Sequence, residues 1–328
     1  MHSSKSVIRK IAGPAAAVLA LAAILILLDL ALYPCTFTRV DVHDLATQTY
    51  DDVILGASHG KMNVSPAAMA EVSGRTGHNA CVGGEYPVDS YYLVKLMIGR
   101  GHTPGRVIYV ASPEYYCREK EEGNNYLLFF HEFPLGLTRL QYFADTVAGC
   151  DLRTGLTPWY EYSLSYELAH VKENLTKKLT GDYSIDDLRS DTQAYREDGF
   201  IERYPVDPAT FTDDVEEFSA DSVVEENTEW FRRLAALCRA HGIDLVTVIT
   251  PAPEASLTAH AQSYAEASDY FAALCEEEAI RFIDFNAEPY TNAFTHHVTA
   301  FTDLTGHMHG DAARDFSHVL ASVLEEEG

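Results

Sequence analysis

From Ile11 to Tyr33 the chain is apolar except at Asp29, a run of 23 residues. As an α-helix rising 1.5 Å per residue it extends about 34 Å, enough to cross the hydrocarbon core of a bilayer. No other feature constrains the fold as tightly, because in hydrocarbon only a helix or a closed barrel satisfies its own backbone polar groups. Lys5, Arg9 and Lys10 precede the run and no acid does. The positive-inside rule then leaves residues 1–10 as a cytoplasmic tail and residues 34–328 outside the cytoplasm. The run is longer than the core of a signal peptide and lacks a small-x-small cleavage site, and Pro34 makes Cys35 a poor lipidation site. An uncleaved single-pass anchor in the cell membrane over 11–33 is therefore expected, with a cleaved signal as the competing reading.

Past the anchor the charge balance turns acidic. The 328 residues include 24 Lys+Arg against 49 Asp+Glu, a formal net charge of −25. Such a surface excludes nucleic acid as the main partner, since phosphate backbones need cations. Hydrophobic residues at 47% supply a core of globular size. The six cysteines, at 35, 81, 117, 150, 238 and 275, include no C-x-x-C pair, so zinc-ribbon and thioredoxin-type motifs are absent. Disulfides are permitted outside the cell. Cys238 and Cys275, each after Leu in helix-like stretches, read as buried apolar residues.

Short apolar runs alternate with helical periodicity over most of the remainder. Val53–Leu55 ends in Gly56, Val107–Val110 ends at Ser112-Pro113, and Ile243–Ile249 closes on Thr250-Pro251-Ala252-Pro253, with a fourth run over Ile280–Phe285. Helical patterns cover Glu229–His241, Tyr264–Glu278 and residues 309–324. Buried strands separated by helices mean a parallel sheet covered on both sides, with ligands at the carboxyl ends of its strands. The stretch from about 115 to 225 breaks the alternation. It is rich in aromatics, then polar and acidic, and is expected to be a mostly helical insertion over the active edge, its aromatics packing rather than stacking on sugar rings.

Ser58 falls just beyond the first strand, in Gly56-Ala57-Ser58-His59, where small neighbours allow a turn that exposes its hydroxyl. About 250 residues later Asp303-Leu-Thr-Gly-His307-Met-His309 leads into the last helix. An imidazole base and an orienting carboxylate complete the logic of a Ser-His-Asp triad.

These blocks, with Asn79-Ala-Cys-Val-Gly83-Gly84 between them and Ala312-Ala313 and Phe316-Ser317 after, resemble those of the SGNH (GDSL-type) hydrolase superfamily over about residues 50–115 and 228–325. The anchor, the long insertion and the Ser-His first block resemble its envelope-anchored branch, which includes D-alanyl transfer proteins and partners of membrane-bound O-acyltransferases. The resemblance implies a flavodoxin-like three-layer α/β/α fold, with Ser58 as nucleophile, His307 as base and Asp303 orienting it. The Ser58 and Gly84 amides would bind the oxyanion.

Two positions depart from that pattern. The third block ordinarily supplies an oxyanion-donating Asn; here the strand ends in Ala111-Ser112-Pro113-Glu114-Tyr115, leaving Ser112 or Asn79 as substitutes. Losing one such donor costs about 10²–10³ in kcat. Asp303 also stands four residues before His307 instead of three, which a bulge at Gly306 would absorb.

The resulting expectation is a membrane-anchored hydrolase or transferase of acyl esters, such as O-acetyl groups, on an envelope polysaccharide. It needs no cofactor or metal. Its partners are membrane lipid, the glycan and a membrane-bound O-acyltransferase, and no nucleic acid. Two alternatives stand: a non-catalytic companion subunit of such an acyltransferase, and a zinc-binding protein using His296, His297, His307 and His309 with Asp303.

Overall fold

The computed structural model describes residues 2–120, 125–150, 157, 159, 168–181 and 188–326. The chain forms two compact units, residues 1–36 with 147–184 and residues 37–146 with 185–328.

In the larger unit, strands β1 (Asp52–Gly56), β2 (Gly77–Asn79) and β3 (Arg106–Val110) are followed by a separate antiparallel hairpin, β4 (Gln193–Tyr195) and β5 (Ile201–Arg203). Strands β6 (Asp244–Ile249) and β7 (Arg281–Asp284) complete the main sheet. It is parallel throughout, in the order β2-β1-β3-β6-β7. Counted within the sheet this is 2-1-3-4-5, the flavodoxin-like order, whose ligand crevice opens between the first and third strands. The α/β fold expected from the alternation is the one observed.

Strands β1 and β3 are buried along their whole length, which is why they read as unbroken apolar runs. Alternate residues face opposite layers. Ile54, Ile108, Val246 and Ile283 join a core with Phe316 and Leu320 of the last helix, Gly310–Glu325, which packs on helix Pro66–Ser73. On the other side Tyr109 meets Phe231 of helix Glu225–Ala240, which packs on helix Pro87–Arg100. Register aligns Gly56 with Val110 and Val110 with Val248, so the loops after β1, β3 and β6 leave from one edge.

The stretch expected as a single helical insertion divides instead. Residues 147–184 belong with the N-terminal helix. Residues 188–224 form the hairpin and short 3-10 turns, because Gly199, Pro205, Pro208 and a run of acids leave no uninterrupted helical face. Tyr160, Tyr162 and Tyr166 lie outside the described residues, while Tyr116, Tyr126, Phe129, Phe133 and Tyr142 are buried. Cys238 and Cys275 are buried too.

In the smaller unit a helix runs from His2 to Leu32, and its segment Ala12–Leu32, with a mean hydropathy of 2.7, is long and apolar enough to cross a membrane. Helix Leu168–Thr180 packs on it. Lys178 Nζ donates to the carbonyls of Asp29 (3.1 Å), Leu30 (3.1 Å) and Tyr33 (2.5 Å), and Asn174 Nδ2 to that of Ala31 (3.2 Å). The last carbonyls of a helix lack intrahelical partners, and a cation there also meets the negative end of its dipole.

Candidate active site

Ser58 opens a six-residue helix, Ser58–Asn63, directly after β1. The turn into it depends on Gly56, whose φ is +126°, a region that favours glycine. A Cβ there would lie 2.1 Å from the Val110 carbonyl oxygen. The far end of this helix grips the loop that carries the base. Asn63 Nδ2 donates to the Gly306 carbonyl at 2.9 Å, and Asn63 Oδ1 accepts from the Met308 amide at 2.8 Å. Gly306, at φ +108°, forms the bulge between Asp303 and His307.

Within this frame Ser58 Oγ lies 2.8 Å from His307 Nε2, and His307 Nδ1 lies 2.8 Å from Asp303 Oδ2. Asp303 is an acceptor, so Nδ1 carries the proton and Nε2 presents its lone pair to the Ser58 hydroxyl. Asp303 Oδ1 also accepts from the Thr305 hydroxyl and from the amides of Gly306 and His307, while Arg203 Nη1, from β5, donates to Oδ2 at 2.7 Å. Burial pushes the Asp303 carboxyl up, but the bonds from His307 and Thr305 outweigh it and hold the group well below the usual carboxylate range. Burial pushes the His307 imidazole down, against the opposing pull of Asp303, so the ring stays a neutral base near neutral pH.

His59 stacks on His307 with centroids 4.8 Å apart and planes at 14°. Its Nε2 lies 2.8 Å from the Thr305 carbonyl, which can only accept, so Nε2 is the protonated nitrogen of the neutral ring. Nδ1 then accepts from the Ser112 hydroxyl, 3.0 Å away.

The proposed oxyanion substitutes are placed as follows. Asn79 Nδ2 donates to the carbonyls of Gly60 (2.8 Å) and Val64 (2.7 Å), and Oδ1 accepts from the Cys81 amide. Both amide protons are thus engaged in closing the nucleophile turn. The Ser112 hydroxyl is committed to His59. Ser58, as the first helical residue, has an amide with no intrahelical carbonyl to bind. A Cβ on Gly83 would sit 3.7 Å from Ser58 Cβ, which puts the Gly83-Gly84 loop beside the nucleophile. Burial raises the pKa of the Tyr115 phenol, against a smaller opposing pull from the Gly84 backbone, so that the hydroxyl keeps its proton.

The histidines considered for zinc are dispersed over separate tasks. His296 contacts the carbonyls of Ala252 and Thr291, His297 caps a 3-10 turn, and His309 caps the last helix. Among the described residues no three His, Cys, Asp or Glu form a group able to hold a metal ion.

Ser58 and His307 open onto a cavity of about 270 Å³. Its carboxyls are Glu114, Asp214, Glu216 and Asp284, and no Lys or Arg lines it among the described residues. Burial raises the pKa of Glu114 and Asp284 above the usual carboxylate range. Sequence reasoning missed Asn63, Arg203, Thr305 and Tyr115, and quoted His59 without a role. Only His59, Thr305 and Tyr115, inside the blocks already singled out, carried any signal.

No family model and no curated protein matches the chain. Among solved structures it is similar to one assigned to the G-D-S-L family of lipolytic proteins from Desulfitobacterium hafniense DCB-2, at 10% identity and a TM-score of 0.37, over 83% of this chain and 99% of that one. Likeness this loose leaves the functional reading to the geometry of the site.

Proposed function

We propose that the chain is a serine acyl-transfer enzyme held to a membrane by its N-terminal helix, cleaving or transferring a small acyl ester, such as O-acetyl, on an extracytoplasmic glycan. The observation that carries this is the relay Ser58–His307–Asp303, with both contacts at 2.8 Å. Ser58 Oγ attacks the ester carbonyl as its proton passes to His307 Nε2, and the imidazolium formed is stabilised by Asp303. The same proton then goes to the departing alcohol. Water as second acceptor makes the protein an esterase, and a sugar hydroxyl makes it a transferase. The Ser58 amide supplies one oxyanion donor, and the Tyr115 phenol, beside the Gly84 backbone, takes the place of a side-chain amide.

The cavity supports a neutral or cationic acyl group over an anionic one, because its lining offers carboxyls and, among the described residues, no Lys or Arg to pair with an added negative charge. With full-length protein in detergent, a fluorophosphonate should label Ser58 and abolish turnover of an acetyl ester, and Ser58→Ala should prevent both. A succinyl ester should be turned over far more slowly than the acetyl ester. A folded protein that neither labels nor turns over would instead be the non-catalytic companion of a membrane-bound O-acyltransferase.

A further inference from the structure

The larger unit carries an apolar surface that the site does not use. Leu135, Leu137 and Leu140 are 74%, 71% and 67% exposed. Leu137 and Leu140, three residues apart in helix Leu137–Tyr142, share one of its faces. The opposite face is satisfied: Tyr142 is fully buried against Phe133 (5.2 Å between centroids) and Tyr92 (5.1 Å). The leucines therefore point outward with the helix correctly seated on its core. From Phe133 to Ala144 the one charged residue is Arg139, in a chain with 49 acids. Its guanidinium lies over the Phe130 ring, 4.8 Å from the centroid, and donates to the Phe133 carbonyl.

Chain connectivity names the occupant. Arg39 binds the His131 carbonyl (3.1 Å) and the Glu132 carboxylate (2.8 Å), three residues before Leu135. Arg39 is itself seven residues past Leu32, the last residue of the apolar helix. Seven residues span at most about 25 Å. If that helix crosses a bilayer, the leucine segment is tethered within reach of the surface where the helix emerges. It is also free of the acids that would repel anionic headgroups. We propose that Leu135, Leu137 and Leu140 rest in the interface of the bilayer that the N-terminal helix crosses, as a second contact with lipid; this rests on the membrane-anchor part of the proposed function.

Full-length protein in nanodiscs tests it, with single tryptophans added and read as difference spectra against the parent chain. Leu137→Trp should emit to the blue of exposed Asp221→Trp and lose about half its emission to lipids brominated high in the acyl chain, as an interfacial depth of ~5–10 Å requires. Leu140→Trp should behave likewise, and Leu21→Trp should be quenched by bromines placed deep. Quenching at 21 without quenching at 137 and 140 would overturn the second contact and leave the anchor standing. Blue emission at 137 that bromine does not quench would show burial against protein, a second copy included, and would also overturn it. Loss of quenching at 21 as well would remove the anchor and the contact together.

Discussion

At the scale of single residues, His59 lines the cavity and touches His307 directly. Stacked at 4.8 Å, it braces the imidazole and ties the Thr305 carbonyl to Ser112. A positive charge on His59 opposes one on His307 and lowers its pKa further below the usual value. Activity requires neutral His307, so it is full above that pKa and lost as pH falls through it. His59→Gln keeps a donor for Thr305 and removes the imidazole's capacity to take up a positive charge, so the acid limb of kcat/KM should move to higher pH. An unmoved limb would reduce His59 to packing. Asp303→Asn should lower kcat by about 10⁴, because the amide no longer holds Nδ1–H toward it. Tyr115→Phe should lower kcat by about 10² with little change in KM if the phenol donates to the oxyanion. A rise in kcat would show instead that the phenol obstructs Gly84. Ser58, His307 and Asp303 stand out in the sequence through the company of small residues and their place at element ends. Asn63 and Arg203 do not, since nothing along the chain signals that a hairpin about 100 residues before Asp303 delivers a guanidinium to it.

At the scale of elements, a buried polar network joins helix Ser58–Asn63 to helix Phe37–Thr47. Lys61, 1% exposed, pairs with Asp41 at 2.7 Å, and Asp41 also takes His78 Nε2 (3.0 Å) and the Tyr195 hydroxyl (2.5 Å). Lys61 Nζ donates as well to the Asn79 carbonyl and sits 5.2 Å from the centroids of Phe37 and Tyr195. Lys61→Met leaves Asp41 buried without its cation. It should lower the stability of the larger unit by about 3 kcal/mol or more, read as a lower urea midpoint at unchanged slope. An unchanged midpoint would show that His78 and Tyr195 suffice. β3 and β6 were legible as runs of β-branched and apolar residues, and the last helix through Ala312, Phe316, Val319 and Leu320 on one face. β2 was not, because Gly77, His78 and Asn79 carry no strand signal and are placed by pairing with β1. The hairpin of β4 and β5 escaped for the same reason, three residues a side being too short for a period to register.

At the scale of the whole molecule, an N-terminal helix that crosses a membrane would decide where the proposed chemistry is delivered. The protein should remain in the membrane fraction after a carbonate wash with its N-terminal residues intact; a mature terminus near residue 35 would identify a cleaved signal. The distance along the chain between nucleophile and base has a consequence of its own. Ser58 and His307 meet at 2.8 Å but are 249 positions apart. At synthesis rates of about 5–20 residues per second, the serine leaves the ribosome on the order of tens of seconds before the histidine that activates it. The growing chain therefore carries Ser58 without the imidazole that activates it until the stretch around His307 has been made. A ribosome that stalls before the codon for His307 releases a product in which Ser58 has no His307 imidazole beside it.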